Sequence, residues 1–164
     1  MPILDQRSLE FISHSPEQTR RLGERLGELL MTGDLACLSG DLGSGKTTFV
    51  SGIARGWGAL EAATSPTFVL VNEYQRADGW RLWHMDCYRL NSSAEALALG
   101  FDDLLSDDGA LLIEWPERVL EILPAERLNL SLRWLDVEKR AFRLEAVGER
   151  YEALLQNFRH AAFG

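Results

Sequence analysis

The sequence of 164 residues contains only two cysteines, Cys37 and Cys87, and they lie far apart in the chain. They form no C-x-x-C pair, so neither a disulfide framework nor a cysteine-ligated zinc site is expected. Unpaired cysteine behaves as a small apolar residue. We therefore predict two buried thiols with a structural role.

The sequence also lacks the segments that direct a protein to or across a membrane. Residues Met1 to Gln6 contain no basic stretch followed by an apolar run, which is the pattern of a signal peptide. No apolar stretch approaches the roughly 20 residues that a transmembrane helix needs. These absences predict a cytoplasmic protein with no membrane partner.

Positive charge is scarce, because 17 Lys and Arg residues stand against 25 Asp and Glu residues. The formal net charge is −8 and the isoelectric point is about 4.9. Nucleic-acid binding relies on clustered Lys and Arg that neutralise phosphates, so an acidic chain is a poor nucleic-acid binder by itself. If RNA is involved, we expect a partner to hold it.

The composition predicts a single domain that spans residues 1–164. Hydrophobic residues make up 46% of the chain, which is enough for one compact core. The chain has no internal repeat, low-complexity segment or linker that would separate two units.

The most informative stretch runs from Gly40 to Thr47 and reads Gly-Asp-Leu-Gly-Ser-Gly-Lys-Thr. It matches the phosphate-binding pattern G-x-x-x-x-G-K-[ST] at every fixed position. The apolar run Leu35 to Leu38 before it indicates a buried strand, and Phe49, Ile53 and Trp57 recur after it at helical spacing. Strand, glycine loop and helix are the context that this motif requires.

Each part of the motif has a role in nucleotide binding. The glycines let the backbone approach phosphates closely, and the loop N–H groups and the helix N-terminus then point at the anion. Lys46 would reach the β- and γ-phosphates, and the Thr47 hydroxyl would bind Mg²⁺. The predicted nucleotide-binding residues of this stretch are Asp41, Leu42, Gly43, Ser44, Gly45, Lys46, Thr47 and Thr48.

Two acidic residues that follow predicted strands are candidates for catalysis or metal binding. Asp86 follows the run Trp80 to Met85, and Glu114 follows the run Ala110 to Ile113. Sheets of α/β proteins bind ligands at the carboxyl ends of their strands, and phosphate-loop enzymes hold Mg²⁺ with a carboxylate in such a position. For Asp86, an ion pair with Arg89 or the capping of a turn is the structural alternative.

A hydroxyl-rich segment, Thr64 to Thr67, follows the phosphate-loop helix. Pro66 forces Ser65 toward extended backbone geometry. Two interpretations stay open at this point. The segment is either a turn that enters a strand, or a loop near the γ-phosphate that responds to it as switch segments do.

The first part of the chain predicts a strand followed by a helix. Residues 8–13 are apolar at alternate positions, which indicates an edge strand. Ser15-Pro16-Glu17-Gln18 is a helix start with Ser15 as the N-cap. We predict that this helix ends at Gly33.

The later patterns predict two antiparallel hairpins and two more helices. The hairpins have their turns at residues 76–79 and 136–140. A capping box at residues 92–95 begins a short helix that we expect to end at Gly100. A last helix follows the second hairpin. The predicted fold is an α/β phosphate-loop NTPase-like mixed sheet with helices on both faces and antiparallel hairpin additions.

Four segments in order carry a family resemblance. They are Gly-Asp-Leu-Gly-Ser-Gly-Lys-Thr-Thr-Phe at 40–49, Ser-Pro-Thr-Phe at 65–68, His-Met-Asp-Cys-Tyr-Arg-Leu at 84–90 and Ile-Glu-Trp-Pro at 113–116. Together they resemble the TsaE family of small bacterial ATPases, which assist formation of threonylcarbamoyladenosine beside the tRNA anticodon. The resemblance spans about Ser15 to Leu144 and is far more specific than the phosphate loop alone. Met85 and Cys87 replace other apolar residues of the family pattern.

The resemblance implies roles for individual residues. Glu114 would join Thr47 at Mg²⁺, and Asp86 would be the essential carboxylate near the γ-phosphate. Thr67 would belong to a switch-like loop, and Trp115 would lie against the nucleotide. The expected catalytic residues are thus Lys46, Asp86 and Glu114, and the expected metal ligands are Thr47 and Glu114.

The resemblance also implies ATP and Mg²⁺ as cofactors, and two protein partners. The partners would be a carbamoyl-transfer subunit (TsaD-like) and its non-catalytic paralogue (TsaB-like), with tRNA held only through the complex. The isolated chain would be a weak Mg²⁺-dependent ATPase. Its ATP hydrolysis would reset the assembly between rounds and would not form the threonylcarbamoyl bond.

Two other functions use the same loop. A small-molecule kinase usually adds an arginine-rich lid that clamps the second substrate, and no compact arginine cluster stands near the predicted site. A GTP-driven switch would read guanine with an Asn-Lys-x-Asp motif, and the sequence has none. Its absence, together with the family resemblance, favours ATP.

Overall fold

The computed structural model describes residues 3–4, 6–41, 44–60, 71–98, 100–105 and 108–164. These residues form one mixed eight-stranded sheet with helices on both faces, so the predicted fold class is confirmed. The strands are β1 (Ile3–Leu4), β2 (Ser8–Ser13), β3 (Leu35–Gly40), β4 (Val71–Gln75), β5 (Arg81–Asp86), β6 (Gly109–Glu114), β7 (Arg127–Trp134) and β8 (Arg140–Val147). The helices are α1 (Pro16–Leu29), α2 (Lys46–Trp57), α3 (Ser93–Ala98), α4 (Phe101–Leu104) and α5 (Glu149–Phe163), with two short 3-10 helices after β6.

The strand order across the sheet is β1-β2-β8-β7-β3-β6-β5-β4. The four central strands β7, β3, β6 and β5 run parallel to one another, and the outer pairs are antiparallel. Both predicted hairpins are present, as β4–β5 and as β7–β8. The parallel centre brings the carboxyl ends of four strands to one edge of the sheet.

The hydrophobic core has two layers, one on each face of the sheet. The larger layer lies under α1, α2 and α5, and the smaller layer lies under α3, α4 and the two 3-10 helices. Strand β3 serves both layers, because Ala36 and Leu38 face the first and Leu35 and Cys37 face the second. Burial on both faces is typical of a central parallel strand.

Helices α1 and α2 pack through glycines at close backbone distance. A Cβ atom added at Gly27 would lie 2.1 Å from the carbonyl oxygen of Ile53, and one added at Gly52 would lie 2.2 Å from that of Arg20. Gly23 and Gly56 are equally tight. This contact fixes the phosphate-loop helix α2 against its neighbour, so the start of α2 has a defined position over the sheet.

Helix α1 begins as predicted but ends early. The Ser15 side chain accepts the Gln18 backbone N–H at 3.1 Å, which confirms Ser15 as the N-cap. The helix ends at Leu29, because the Asp34 carboxylate accepts the Met31 backbone N–H at 2.7 Å and the chain leaves the helix there. Gly33, with φ of 89°, lies in the turn into β3, so its prediction as the end of the helix was wrong.

Two further boundaries differ from the sequence prediction. Strand β2 is not an edge strand, because it pairs with β8 on one side and with the short strand β1 on the other. Helix α3 ends at Ala98, and Gly100, with φ of 86°, is the N-cap of α4. A two-residue strand and a second four-residue helix are too short to leave a periodic pattern in the sequence.

Both cysteines are buried and unpaired, as predicted. Burial raises the pKa of Cys37 and of Cys87 to about 12, so both are held as thiols. Within the described ranges, no helix combines the length and the apolar character that spanning a membrane would require.

Candidate nucleotide site

The glycine loop has the backbone geometry of a phosphate cradle wherever the structure describes it. Gly45, with φ of 98°, is the N-cap of α2, so Lys46 is the first residue of that helix. A Cβ atom added at Gly40 would lie 2.5 Å from the Leu132 carbonyl oxygen and 2.8 Å from Ser44 Oγ. Gly40 is therefore required by lack of space and by its backbone angle, and Gly45 by its backbone angle. Leu42 and Gly43 lie outside the described residues.

Lys46 folds back over the loop. Its side chain is buried, and its Nζ atom donates a hydrogen bond to the Gly40 carbonyl oxygen at 2.6 Å. The same Nζ atom lies 4.3 Å from the centre of the Trp115 ring, a cation–π contact. The ammonium group is thus held at the mouth of the loop, where a phosphate would meet it.

The two predicted carboxylates lie beside each other, on the face of the sheet where α2 begins. Asp86 and Glu114 are register partners at the carboxyl ends of the adjacent strands β5 and β6. Leu82 and Leu112, which precede them at even spacing, belong to the core layer under α2. Because side chains alternate along a strand, Asp86 and Glu114 both project on the face that carries the start of α2.

Glu114 is buried and held by a histidine that the sequence reasoning left without a role. His84 Nε2 donates to Glu114 Oε2 at 2.8 Å, and the two residues are only 3% and 7% exposed. The proton belongs on Nε2, because an ionised carboxylate can only accept. His84 lies two residues before Asp86, so it faces the same side of the sheet. Its place in the family-like segment 84–90 was the one available signal.

Asp86 caps a turn. Its Oδ1 atom accepts the Tyr88 backbone N–H at 3.0 Å, which is one of the two structural alternatives stated above. The other is not seen, because no ion pair joins Asp86 to Arg89 in the part of the chain that the structure describes. The cap fixes the carboxylate at the strand end, and the residue remains partly exposed there.

Trp115 connects the two carboxylates to the phosphate loop. Its φ of 58° makes it the one residue other than glycine with positive φ in the described ranges. Such backbone strain clusters at functional sites. The Trp115 ring contacts Lys46 and also the ring of Tyr88, with 4.9 Å between the aromatic centres. The strained residue thereby places one aromatic ring between the Asp86 turn and the buried ammonium group.

The other predicted binding residues that the structure describes lie at the start of α2 and at the start of the loop. Thr47 is exposed in the first turn of α2, Thr48 is half-buried, and Asp41 is exposed at the start of the loop. Thr67 and the rest of the predicted switch segment lie outside the described residues.

The structure also brings in an arginine that the sequence reasoning did not consider. A Cβ atom added at Gly45 would lie 3.4 Å from Nε of Arg140, the first residue of β8. Arg55, Arg76 and Arg81, which lie between the phosphate loop and Glu114 in the sequence, instead form ion pairs with nearby acidic residues.

The arrangement presents the groups that a polyphosphate and a divalent cation would need. The start of α2 and Lys46 supply N–H donors and positive charge for an anion. Thr47 and Glu114 carry oxygen atoms of the kind that Mg²⁺ prefers, and Asp86 lies beside Glu114. Among the described residues, no cluster of three or more His, Cys, Asp or Glu could hold a metal alone. The donor set therefore fits Mg²⁺ that also takes ligands from phosphate, as is usual in such sites.

Comparison with known proteins identifies the family. Residues 13–142 match the family model described as "Threonylcarbamoyl adenosine biosynthesis protein TsaE". The tRNA threonylcarbamoyladenosine biosynthesis protein TsaE of Bacillus subtilis is 37% identical over 151 residues, which cover 92% of this chain and 93% of that protein. The protein of the same name from Streptomyces coelicolor is 44% identical over 115 residues, or 69% of this chain and 77% of its own length.

A solved structure agrees with these sequence matches. The crystal structure of Bacillus subtilis YdiB superposes with a TM-score of 0.78 at 34% identity, and the match covers 98% of this chain and 97% of that one. The resemblance stated from the four segments is confirmed, and the chain belongs to the TsaE family of threonylcarbamoyl adenosine biosynthesis proteins.

Proposed function

We propose that this protein is a Mg²⁺-dependent ATPase that serves the machinery for threonylcarbamoyladenosine in tRNA. Membership of the TsaE family supports the pathway. The observation that carries the ATPase activity is the juxtaposition of Lys46, at the start of α2, with the register pair Asp86 and Glu114 on the same face of the sheet. Carboxylates with a purely structural role could lie anywhere in the sheet, so their position beside the phosphate loop supports a role in catalysis.

Each residue of the site has a separate role in phosphoryl transfer. Lys46 and the N–H groups at the start of α2 bind the β- and γ-phosphates. Thr47 and Glu114 are the proposed ligands of Mg²⁺, which when bound neutralises charge that develops between the β- and γ-phosphates. His84 orients the Glu114 carboxylate. Asp86 holds the attacking water and accepts its proton at the carboxylate, since general bases of this kind act through a hydrogen-bonded water.

The isolated protein should hydrolyse ATP slowly. Phosphoryl transfer gains strongly from an arginine at the γ-phosphate, and many NTPases receive it from a partner. Arg55, Arg76 and Arg81 are engaged with Glu24, Asp78 and Glu73. We propose that the carbamoyl-transfer pair (TsaD-like and TsaB-like) accelerates turnover, and that turnover resets this complex.

The acidic surface supports an indirect role toward tRNA. A net charge of −8 disfavours binding to a polyanion, because each phosphate contact needs a nearby cation. We propose that the partners hold the tRNA and that this chain contributes the nucleotide-dependent step.

The test is steady-state ATP hydrolysis by the chain alone and with the reconstituted pair. We expect slow hydrolysis alone and faster hydrolysis with the pair. Asp86→Asn should lower turnover by about 100-fold, a typical scale for loss of a general base. The matched control is Asp102→Asn, an exposed aspartate on α4, which should keep wild-type turnover.

Three outcomes would contradict the proposal. Full activity alone with no response to the pair would remove the accessory role. Normal turnover in Asp86→Asn would remove the proposed base. Tight, salt-resistant tRNA binding by the chain itself would contradict the indirect role toward tRNA.

A further inference from the structure

Lys46, the lysine of the phosphate loop, is held by two groups of the protein itself. Its Nζ atom donates to the Gly40 carbonyl oxygen at 2.6 Å, and it lies 4.3 Å from the centre of the Trp115 ring. An ammonium group has three N–H donors, and it uses the same donors to bind a phosphate. A phosphate that binds Lys46 must therefore draw the ammonium group away from the carbonyl oxygen and the ring, or share it with them.

Trp115 lies against Lys46 in a backbone geometry that its sequence disfavours. Its φ of 58° and ψ of 52° are left-handed, whereas a residue before a proline, here Pro116, normally takes extended geometry. Two backbone hydrogen bonds maintain this geometry. The Trp115 N–H donates to the Leu38 carbonyl oxygen at 3.3 Å, and the Arg118 N–H donates to the Trp115 carbonyl oxygen at 3.1 Å. Strained backbone persists only where the surrounding contacts hold it, so the position of Trp115 is imposed by its neighbours.

Tyr88 packs on the Trp115 ring from the end of the neighbouring strand. The two ring centres are 4.9 Å apart and the ring planes are tilted by 50°, a favourable arrangement for aromatic side chains. The backbone of Tyr88 is fixed, because Asp86 Oδ1 accepts its N–H at 3.0 Å and the adjacent Cys87 N–H donates to the Glu114 carbonyl oxygen at 3.0 Å. The Tyr88 side chain is nevertheless 43% exposed, so it adds little to the hydrophobic core. Its ring is thus placed to support Trp115.

We infer that Tyr88 is a positioning residue for nucleotide exchange. It holds the Trp115 ring against Lys46, and this ring competes with the phosphates for the ammonium group. The inference rests on the proposed function, in which Lys46 binds the β- and γ-phosphates. Competition from within the protein weakens nucleotide binding, and it speeds the release of ADP because the ring contacts the ammonium group again as the phosphates leave. Product release limits turnover in many enzymes, so this contact favours turnover over tight binding.

The direction of the expected effect distinguishes this role from a structural one. If Tyr88 only stabilised the site, its removal would loosen the phosphate loop and weaken nucleotide binding. Because Tyr88 supports a competitor of the phosphates, its removal should strengthen binding instead. The gain should be the same for nucleotides and for an inorganic polyphosphate, since the ring competes for the group that binds phosphate and not for the nucleoside.

The experiment is calorimetric titration of the full chain with ADP, with a non-hydrolysable ATP analogue and with inorganic tripolyphosphate, each in the presence of Mg²⁺. Tyr88→Ala should bind all three about two- to tenfold more tightly, the factor that corresponds to the loss of one aromatic pair. Stopped-flow displacement of a fluorescent ADP analogue should show dissociation that is slower by a similar factor. Tyr88→Phe keeps the ring and should behave as the wild type does.

Two further variants complete the set. Trp80→Ala removes another exposed aromatic ring, 39% exposed, next to the opposite end of β5, and it should leave all three affinities unchanged. Tyr88→Leu removes the aromatic ring but fills part of its space, and it should change the affinities in the same direction as Tyr88→Ala. All titrations are made at a temperature at which thermal unfolding shows every variant to be folded.

The outcomes separate this inference from the proposed function. If the wild type binds none of the three ligands, the proposed function itself fails. If the wild type binds them and Lys46→Ala weakens this binding, the phosphate-loop assignment stands. Unchanged or weaker binding in Tyr88→Ala and Tyr88→Leu then overturns only the role of Tyr88. A gain in Tyr88→Phe as large as that in Tyr88→Ala would also overturn it, because the aromatic ring would not be the group that matters.

Discussion

Replacement of His84 by phenylalanine tests whether the buried histidine positions Glu114, the carboxylate that we propose binds Mg²⁺. Phenylalanine has a similar shape but no N–H, so Glu114 Oε2 loses the donor that lies 2.8 Å away. Both residues are almost fully buried, so water cannot replace this donor without rearrangement. A hydrogen bond to a charged group contributes about 1.5–3 kcal/mol. Leaving a buried acceptor without its donor costs about 1–3 kcal/mol, and more when the acceptor is charged.

These magnitudes predict two separable effects of His84→Phe. A loss of about 2 kcal/mol should lower the melting temperature of a chain of this size by about 4–8 °C. The Mg²⁺ concentration for half-maximal ATP hydrolysis should rise about ten- to a hundredfold, the usual effect of removing a residue that orients a metal ligand. ADP binding without metal should be unchanged, because the phosphate loop itself is not altered.

The informative control is His84→Gln, whose side-chain amide can donate from nearly the same place as Nε2. It should keep most of the Mg²⁺ response even if some stability is lost. The measurements are thermal unfolding, and hydrolysis over a Mg²⁺ titration at saturating ATP. If His84→Phe loses stability and keeps the wild-type Mg²⁺ dependence, the histidine is only structural and the reasoning is refuted.

Three further predictions concern the loop, the helix contact and the thiols. Lys46→Ala should weaken ATP·Mg²⁺ binding at least tenfold, and near wild-type affinity in calorimetry would contradict the phosphate-loop assignment. Gly27→Ala should lower the free energy of unfolding by about 2 kcal/mol or more in denaturant titration, because its Cβ would meet backbone atoms, whereas Glu28→Ala should stay within about 0.5 kcal/mol. Cys37 and Cys87 should resist thiol reagents at pH 8 until the chain unfolds. Since burial raises both pKa values from 9.0 to about 12, the stability that these thiols contribute is full below pH 9 and is lost as pH rises toward 12. Rapid labelling of the folded chain, or unchanged stability over that pH range, would contradict this.

The parts of the site that could be predicted from the sequence are those that depend on local patterns. The loop from Gly40 to Thr47 is contiguous, and its glycines mark the positions where the backbone needs positive φ or close approach. Asp86 and Glu114 were recognisable because each follows an apolar strand. The contacts of these residues were not recognisable. His84 and Glu114 are separated by 30 positions, and their pairing depends on the register of β5 against β6.

The helix contact was missed although a signal was present. Gly23 and Gly27, and likewise Gly52 and Gly56, are spaced four residues apart, which places each pair on one helix face. The spacing alone does not tell which two helices meet. In the structure, a Cβ atom added at any of these glycines would lie about 2 Å from a carbonyl oxygen of the other helix. Both pairs therefore belong to the one contact between α1 and α2. Glycine at helix interiors is otherwise unfavourable, and this contact is its compensation.

The order of strands explains why one flank of the site could be predicted and the other could not. Parallel strands all end at the same edge of the sheet, whatever their order. Recognising β3, β5 and β6 as parallel strands was therefore sufficient to predict that Lys46, Asp86 and Glu114 lie close together. Arg140 begins an antiparallel strand, and it reaches the loop only because β7 lies beside β3 and carries β8 with it. The chain order gives no hint of that neighbour, so Arg140 comes to lie beside the loop through topology alone.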